Sequence, residues 1–255
     1  FTDVSTLSKI FRDEQPEVVN HHGAQTNVRH SMSDPSHDTK VNVLGSVSVL
    51  QLCAQETSVR KIIFASTCAV YSEPNFLPMD ESHPTIPQSV YGVSKLAVES
   101  YIKFFSNVYD LTYTIFRYGN VYGTRQDPTG EAGGVNIFAS QLLSGNQPTI
   151  FGDGTKTRDY VSVRDVVSAN LSVIGDVGNN EVFNIARGEG VSDFEIYDAV
   201  RSTVGSNIQA IYSDRRKGEA EHVVLDCRKA NKNLSWRPEV RILDGVSEVV
   251  KAFSD

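Results

Sequence analysis

The stretch KIIFASTCAVY, residues 61–71, sets the class of fold. Residues 61–66 form a short apolar run that contains β-branched side chains, and such a run predicts a buried strand. Ser66 and Thr67 stand at the end of this strand. Because ligands bind at the carboxyl ends of the strands in open parallel sheets, we expect both hydroxyls to lie at a ligand site.

Further apolar runs flank this strand and alternate with longer amphipathic segments. Strands are predicted over residues 17–22, 111–123 and 181–186, the second of which runs into a loop. Helices are predicted over residues 40–55, 88–105, 136–145, 164–174, 192–205 and 242–253. Alternating strands and helices are typical of βα units around a parallel sheet, so the sequence predicts an α/β fold.

The composition favours a folded protein that binds small molecules or other proteins. Of the 255 residues, 40% are hydrophobic and 22% are charged, which is enough apolar material for a substantial core. The net charge of −7 and the lack of a Lys/Arg-rich run argue against a nucleic-acid-binding surface. No apolar run reaches the roughly 18 residues that a membrane span needs, so we expect no membrane partner.

The cysteines indicate neither a disulfide framework nor a metal site. Cys53, Cys68 and Cys227 are odd in number and far apart, and none stands in a CxxC pair or at the spacing of a zinc ligand from a histidine. Free thiols of this kind fit a reducing compartment. We therefore expect a cytoplasmic protein without a bound metal.

Tyr91 and Lys95 lie four residues apart in QSVYGVSKLAVESYIKFF, residues 88–105. Positions i and i+4 share one face of a helix, and a nearby cation favours phenolate over phenol, so the tyrosine could act as a base near neutral pH. The alternative is an exposed amphipathic face on which the two side chains have no joint role, because the spacing alone is a weak signal. With Thr67 at the neighbouring strand end, a donor, a base and a cation would meet one substrate hydroxyl, which suits hydride and proton transfer.

Nine segments spread over essentially the whole chain form an ordered set of motifs. They are HHGAQTNVRHS (21–31), KVNVLGS (40–46), FASTCAVYS (64–72), SVYGVSK (89–95), RYGNVYGTRQDP (117–128), GDGTKTRDYVSVRDV (152–166), FNIARGEGVS (183–192), RRKGEAEHVVLD (215–226) and LSWRPEV (234–240). Each motif is weak by itself, but nine in order are a strong signal. Together they resemble the extended short-chain dehydrogenase/reductases, and among these the sugar-nucleotide epimerases of the UDP-glucose 4-epimerase type.

The resemblance implies a catalytic role for three residues. Tyr91 would take the proton from the sugar O4 while the C4 hydride passes to NAD, and Thr67 would hydrogen-bond O4. Lys95 would hold the nicotinamide ribose and depress the pKa of Tyr91. The implied cofactor-binding residues are Gly23, Ala24, Gln25, Asn42, Ser66, Tyr91, Lys95 and Tyr118. The 4-keto intermediate would turn in the site and receive the hydride on its other face.

The resemblance also implies a sugar-nucleotide site. Asn120 and Arg158 match phosphate contacts of the family, although a strand-end turn and a surface ion pair between Arg158 and Asp159 are alternative explanations. Arg216 and Glu219 stand in RKGE where the family usually shows Arg-Pro-Gly-Asp, and would bind phosphate and uridine ribose. Val223 stands where strict glucose/galactose epimerases carry a tyrosine, so its small side chain would leave room for an N-acetyl group on C2. The implied substrate-binding set is Thr67, Asn120, Arg158, Arg216, Glu219 and Val223.

The resemblance further implies two interleaved domains and a UDP-sugar as substrate. Residues 1–118, with a later return segment near 155–186, would form a truncated NAD-binding Rossmann domain, and residues 119–255 a smaller sugar-nucleotide-binding α/β lobe. The glycine-rich turn that binds the cofactor pyrophosphate does not follow any predicted strand, so we expect an incomplete Rossmann-type doubly wound parallel sheet. By the same resemblance, a homodimer is expected.

The resemblance leaves three activities open. The first is NAD-dependent 4-epimerisation of a UDP-hexose, namely UDP-glucose or UDP-galactose and also their N-acetylhexosamine forms. The second is binding of a sugar nucleotide without catalysis, and the third is another oxidation of a sugar nucleotide, such as decarboxylation of UDP-glucuronate. The related 4,6-dehydratases carry Asp-Glu directly after the catalytic threonine, whereas this chain has Cys68 and Ala69, so elimination would lack its acid and base.

Overall fold

The computed structural model describes residues 1–129, 133–215 and 220–254. Its helices are α1 (Val4–Glu14), α2 (Val28–Ser33), α3 (Pro35–Asp38), a π-helical turn (Thr39–Leu44) that continues into α4 (Gly45–Gln55), a 3-10 turn (Cys68–Val70), α5 (Val90–Tyr109), α6 (Gly134–Leu143), α7 (Val163–Ser172), α8 (Asp193–Val204), α9 (Arg228–Leu234) and α10 (Ile242–Ser254). Its strands are β1 (Val18–His21), β2 (Lys61–Thr67), β3 (Thr112–Tyr118), β4 (Asn120–Tyr122), β5 (Thr149–Phe151), β6 (Thr157–Ser162), β7 (Glu181–Ile185), β8 (Gly190–Ser192) and β9 (Ile211–Ser213).

The main sheet is parallel and has the order β1-β2-β3-β7. Strand β2 pairs with β3 over its whole length, from Lys61 opposite Thr112 to Thr67 opposite Tyr118. All four strands therefore end at one edge of the sheet, and Thr67 stands at that edge. The predicted α/β fold with a parallel sheet is confirmed, as are the predicted strands at 17–22, 61–66 and 181–186 to within a residue or two.

Helices cover both faces of the main sheet, because successive side chains of a strand point to opposite faces. In β2, Ile62 and Phe64 pack into the core beneath α1, α4 and α5, whereas Ile63 packs into the core beneath α7 and α9. These three side chains are completely buried, and full burial of each stabilises the fold by roughly 1.5–3 kcal/mol. The sheet is thus doubly wound, as the sequence predicts.

Helix α5 begins close to the carboxyl end of β2. The Ser89 side chain caps it by accepting a hydrogen bond from the backbone N–H of Gly92 at 3.1 Å. A Cβ atom at Gly92 would collide with the backbone oxygen of Ala69, so only glycine allows the first turn of α5 to approach the 3-10 turn after β2. This approach places Tyr91 beside the end of the strand.

The second lobe contains two small sheets, β4-β6-β8 and β5-β9, with α6, α8 and α10 around a separate core. The prediction of a strand running into a loop over 111–123 is wrong at its end, since residues 120–122 form a second strand, β4, that pairs in parallel with β6. The two strands separate at Gly119, where a Cβ atom would lie only 2.7 Å from the backbone oxygen of Asp159. Strands β5, β8 and β9 have three residues each, which is too short for a periodic signal in sequence.

Segments far apart in sequence return to the main sheet. The core beneath α7 also contains Ala230, Leu234 and Trp236, so α9 and the turn after it pack beside the return strand β7.

Among the helices within the described ranges, none has the combined length and apolar character needed to cross a bilayer.

Candidate active site

Thr67, the last residue of β2, shapes the functional end of the sheet. Its hydroxyl oxygen accepts a hydrogen bond from the backbone N–H of Ala69 at 3.1 Å and so starts the 3-10 turn. Ser66, one residue earlier, is buried and donates its hydroxyl hydrogen to Glu99 at 2.6 Å. The two hydroxyls predicted at the strand end therefore have different partners: Ser66 is bonded to helix α5, and Thr67 holds the turn.

Tyr91 and Lys95 lie one turn apart on the face of α5 that packs against β2. Lys95 is only 3% exposed, and its ammonium donates to the backbone oxygen of Ala65 at 2.9 Å. Its Nζ lies 5.9 Å from the centroid of the Tyr91 ring. The Tyr91 phenol lies close enough to the Thr67 side chain for Thr67 to influence its pKa. The alternative of an exposed helix face is therefore wrong, because the structure buries Lys95 and brings Thr67, Tyr91 and Lys95 together.

The electrostatics of this group differ from the expectation in one respect. Burial raises the pKa of Tyr91, the neighbouring Cys68 and Asp38 side chains raise it further, and the Thr67 side chain opposes the shift only weakly. The predicted depression of this pKa by Lys95 is not found, because the ammonium is directed at the Ala65 carbonyl and burial dominates. Burial also lowers the pKa of Lys95 to about 8. The protein alone thus keeps Tyr91 protonated at neutral pH.

A cavity of about 490 Å³ opens beside these residues. Five of the predicted cofactor-binding residues line it, namely Ala24, Ser66, Tyr91, Lys95 and Tyr118. Gly23, Gln25 and Asn42 do not line it. Instead the backbone N–H of Gln25 donates to the Asn42 side chain at 2.8 Å, and the Asn42 amide donates back to the Gln25 carbonyl at 2.9 Å. These two residues hold the loop after β1 in place behind the cavity wall.

The sequence did not identify the opposite wall of the cavity. Helix α7 and the turn directly after it contribute an apolar face and one amide there: Val163, Val166, Val167, Asn170, Leu171 and Ile174. The Asn170 amide donates to the Tyr118 hydroxyl at 2.8 Å, and the His22 ring stacks on the Tyr118 ring at a centroid distance of 6.1 Å. The spacing of three and four residues along the predicted helix 164–174 was the available signal, but it does not tell a cavity wall from a core face.

Two of the predicted substrate-binding residues, Asn120 and Arg158, lie on the parallel strands β4 and β6 of the second lobe. Asn120 begins β4 and stands opposite Tyr160 of β6. Arg158 of β6 donates to the Thr157 backbone oxygen at 2.8 Å. Burial raises the pKa of the Cys68 thiol and the charge of Arg158 partly opposes this rise, which places Arg158 near the turn after Thr67. The alternative of a surface ion pair with Asp159 is wrong, because the Asp159 carboxylate is completely buried and accepts backbone N–H groups.

Val223 is half-buried against a small apolar cluster. The cluster consists of Val70, Tyr71, Met79, Ala186 and Leu225, and so joins the turn after β2 to the segment that carries Val223. Arg216 and Glu219 lie outside the described residues. Within the described ranges, no group of three or more histidine, cysteine, aspartate or glutamate side chains is placed to hold a metal ion.

Comparison with known proteins assigns the chain to a family. Residues 1–186 match the profile described as the NAD dependent epimerase/dehydratase family. The chain belongs to this family. Its members are NAD-dependent enzymes that act as epimerases or dehydratases, so the predicted resemblance, the enzymatic character and the dependence on NAD are confirmed.

Several relatives within the epimerase family are similar over nearly the whole chain. A putative UDP-glucose 4-epimerase of Methanocaldococcus jannaschii is 45% identical over 235 residues, which cover 92% of this chain and 76% of the relative. A UDP-glucose 4-epimerase of Mycolicibacterium smegmatis is 38% identical over 248 residues, covering 97% of this chain and 79% of the relative.

Solved structures of epimerases share the fold. The UDP-glucose 4-epimerase of Thermotoga maritima with UDP-glucose superposes with a TM-score of 0.96 at 40% identity, covering 99% of this chain and 82% of that chain. The Thermus thermophilus UDP-glucose 4-epimerase in complex with NAD superposes with a TM-score of 0.93 at 36% identity and the same coverage. These similarities confirm the Rossmann-type α/β architecture.

The cavity beside Tyr91 fits the nicotinamide end of the NAD on which the epimerase family depends. Val163, Val166 and Val167 offer an apolar wall for a flat ring. Tyr91 and Lys95 are also among the lining residues, and a hydroxyl and an ammonium are suitable donors to ribose hydroxyls. The residues present therefore fit this part of the cofactor.

Proposed function

We propose that this chain catalyses the NAD-dependent 4-epimerisation of a UDP-hexose, with UDP-glucose and UDP-galactose as substrates. The observation that carries the proposal is the convergence of Thr67, Tyr91 and Lys95 at the end of β2, beside a cavity that fits nicotinamide. Relatives named UDP-glucose 4-epimerase at 45% and 38% identity support the choice of substrate.

The proposed chemistry assigns one role to each of the three residues. NAD, when bound, would supply the hydride acceptor for C4 of the sugar and the hydride donor for its other face. Tyr91 accepts the O4 proton as phenolate and returns it as phenol, and Thr67 holds the same hydroxyl by a hydrogen bond. Lys95 is a cation close to the Tyr91 ring and would hold the nicotinamide ribose. Because burial keeps Tyr91 protonated in the protein alone, its ionisation would have to take place with cofactor and substrate bound.

The two lobes would divide the ligands between them. We infer that residues 1–118, with the return segment near 155–186, hold the cofactor, and that residues 119–255 hold the sugar nucleotide. In the second lobe Asn120 and Arg158 would bind the diphosphate, for which a guanidinium has suitable geometry. Arg216 and Glu219 would bind phosphate and the uridine ribose, and Val223 would face C2 of the sugar.

Dehydration is a less suitable activity than epimerisation. A dTDP-glucose 4,6-dehydratase of Streptomyces venezuelae shares the fold with a TM-score of 0.91 at 26% identity, so the fold alone does not discriminate. Elimination across C5 and C6 needs an acid and a base next to the catalytic threonine. This chain offers Cys68 and Ala69 there, and burial raises the pKa of the Cys68 thiol to about 11, which leaves it neutral at physiological pH.

We infer a homodimer that pairs through α5. This helix exposes a row of apolar side chains at helical spacing, Val93, Tyr101, Phe104 and Val108, which are between 42% and 56% exposed. A contiguous apolar face of this kind is typical of an interface between proteins.

The three free cysteines support a cytoplasmic location, because thiols stay reduced there.

The proposed function is tested by the Tyr91→Phe variant. We expect conversion of UDP-galactose to UDP-glucose to fall by roughly 10²- to 10⁴-fold, because the general base is removed, while affinity for UDP remains that of the wild type. Tyr109→Phe, a change of the same kind at an exposed position of the same helix, is the control.

The wild-type assay separates the proposed function from the other two activities. UDP binding without conversion of any UDP-hexose would indicate a protein that only binds sugar nucleotides. Net accumulation of NADH would indicate a different oxidation, such as a decarboxylation. Either result would overturn the proposed epimerisation.

A further inference from the structure

Asp159 joins three segments of the second lobe through its buried carboxylate. The side chain is completely buried in β6, between Arg158 and Tyr160. One oxygen accepts the backbone N–H of Arg187 at 2.8 Å, and the other accepts those of Gly188 at 3.0 Å and Leu225 at 3.0 Å. The carboxylate thus connects β6, the turn after β7 and a segment near the carboxyl end of the chain.

That last segment, residues 221–226, carries Val223 and is referred to here as the sugar segment. It lies between β6 and Met79. On the β6 side, the backbone N–H of Val223 donates to the Thr157 oxygen at 3.2 Å. On the other side, Met79 donates to the Val224 oxygen at 2.8 Å and accepts from Asp226 at 2.7 Å.

Where the backbone pairing between β6 and the sugar segment ends, the Asp159 side chain provides the next hydrogen-bond acceptor. Thr157 forms the last backbone pair, and the Leu225 N–H two residues beyond Val223 points to the Asp159 side chain instead. A buried backbone N–H without an acceptor costs free energy, so Leu225 depends on this carboxylate for its place. The position of Val223 is therefore set from two sides, by Thr157 before it and by Asp159 after it.

Burial of a carboxylate is an expensive way to hold a loop, because the charge loses its hydration. Burial raises the pKa of Asp159 to about 6, against the effect of the backbone N–H donors. An apolar or amide side chain would avoid the desolvation of a charge, but it offers fewer acceptor sites to converging N–H groups. The arrangement therefore favours a role in precise placement over a contribution to stability.

We propose that Asp159 is a positioning residue for the sugar nucleotide, which sets the distance between Val223 and the sugar by fixing Leu225. The inference rests on the proposed function, because it assumes that the sugar of a UDP-hexose faces Val223. It adds a specificity-determining residue that does not itself touch the ligand. Its neighbour Arg158, the proposed diphosphate ligand, would be held in register by the same contacts.

The test compares Asp159→Asn with Asp165→Asn. Asp165 is a matched control, since it is 4% exposed and its carboxylate accepts the backbone N–H groups of Glu239 at 3.0 Å and Val240 at 3.1 Å, outside the sugar segment. For both variants of the full chain we would measure binding of UDP, UDP-glucose and UDP-N-acetylglucosamine by calorimetry, the melting temperature, and amide hydrogen exchange at Leu225.

We expect D159N to weaken binding of both UDP-sugars by about tenfold, to change the ratio of their affinities, and to speed exchange at Leu225. D165N should leave these three quantities at wild-type values even where it lowers the melting temperature. If D159N does not fold, Asp159→Ser retains one acceptor oxygen without the buried charge and gives the same readouts.

Wild-type affinities and Leu225 exchange in a folded D159N or D159S variant would overturn the role of Asp159. The role would also be overturned if D159N lost affinity for all three ligands equally and D165N, at a similar loss of melting temperature, lost as much. Such a result would show a merely structural effect. A wild-type chain that binds no UDP-sugar would instead overturn the proposed function itself.

Discussion

Under the proposed function, the side chain at position 223 would set how much room a substituent on C2 of the sugar has. Val223 is half-buried against the cluster around Tyr71 and Met79, and the Val223→Tyr variant would fill the space in front of it. We expect kcat/KM for UDP-N-acetylglucosamine to fall by roughly 10- to 200-fold, with that for UDP-glucose nearly unchanged. A coupled spectrophotometric assay with both substrates measures this, and Val224→Ile is the control. Equal losses of kcat/KM for both substrates would show that residue 223 does not discriminate between substituents on C2.

The buried His21 ring makes the free energy of unfolding decrease at acidic pH. The ring is 5% exposed and hydrogen-bonded to Ser46 at 2.9 Å, and burial together with the charge of Lys95 lowers its pKa from 6.5 to about 4. The unfolded chain therefore binds the extra proton between pH 6.5 and 4, so stability is present above pH 6.5 and falls as the pH drops through this window.

We expect a loss of roughly 3 kcal/mol in the free energy of unfolding between pH 7 and pH 4 from His21 alone. Urea denaturation of wild type and His21→Gln at both pH values measures it, since the variant lacks the titrating ring. His30→Gln, a change at an exposed histidine, is the control and should retain the wild-type slope. An H21Q chain with the wild-type pH dependence would contradict the assignment.

At the scale of elements, helix α5 is attached to β2 by three successive side chains. Tyr91, Lys95 and Glu99 stand at i, i+4 and i+8 and contact Thr67, Ala65 and Ser66 respectively. Glu99 also accepts two hydrogen bonds from Arg117 of β3, at 3.0 and 2.7 Å, and both side chains are at most 5% exposed. The catalytic turn of α5 is thus held against two strands.

Removing one partner of this buried pair should destabilise the protein far more than removing both. Glu99→Gln leaves the Arg117 charge without its counter-ion, and we expect it to cost roughly 3–5 kcal/mol in the free energy of unfolding. The double variant E99L/R117M replaces both groups by apolar ones and should lie within about 1 kcal/mol of wild type or be more stable. Urea titration of wild type, E99Q and E99L/R117M measures the three free energies of unfolding. A double variant that is at least as destabilised as E99Q would contradict the prediction.

At the scale of the whole molecule, the proposed homodimer depends on the exposed apolar row of α5. We expect the double variant F104E/V108E to be monomeric, because two buried charges at the centre of an apolar interface are costly. Light scattering of wild type and variant measures the mass directly. Phe194→Glu, at a 47% exposed apolar residue of α8 in the other lobe, is the control and should remain dimeric. A monomeric wild type would refute the homodimer.

Short strands and distant contacts limit what sequence reasoning can reach. The π-helical turn and α4 were predicted together as one helix over 40–55, since helical periodicity continues through both. Strands of three residues, such as β4 and β8, contain no period to detect. The apolar face of α7 was visible as a pattern, but its place on the cavity wall depends on the sheet against which it packs.

The sequence by itself determined the α/β class, the order of the main elements and the shared face of Tyr91 and Lys95, because periodicity and helix geometry act over a few residues. Only the tertiary structure decided the raised pKa of Tyr91, the wall of the cavity and the contacts of the Asp159 carboxylate. Asp159 bonds to residues 28, 29 and 66 positions away along the chain. Desolvation and such long-range hydrogen bonds arise only when distant segments pack together, so no local pattern encodes them.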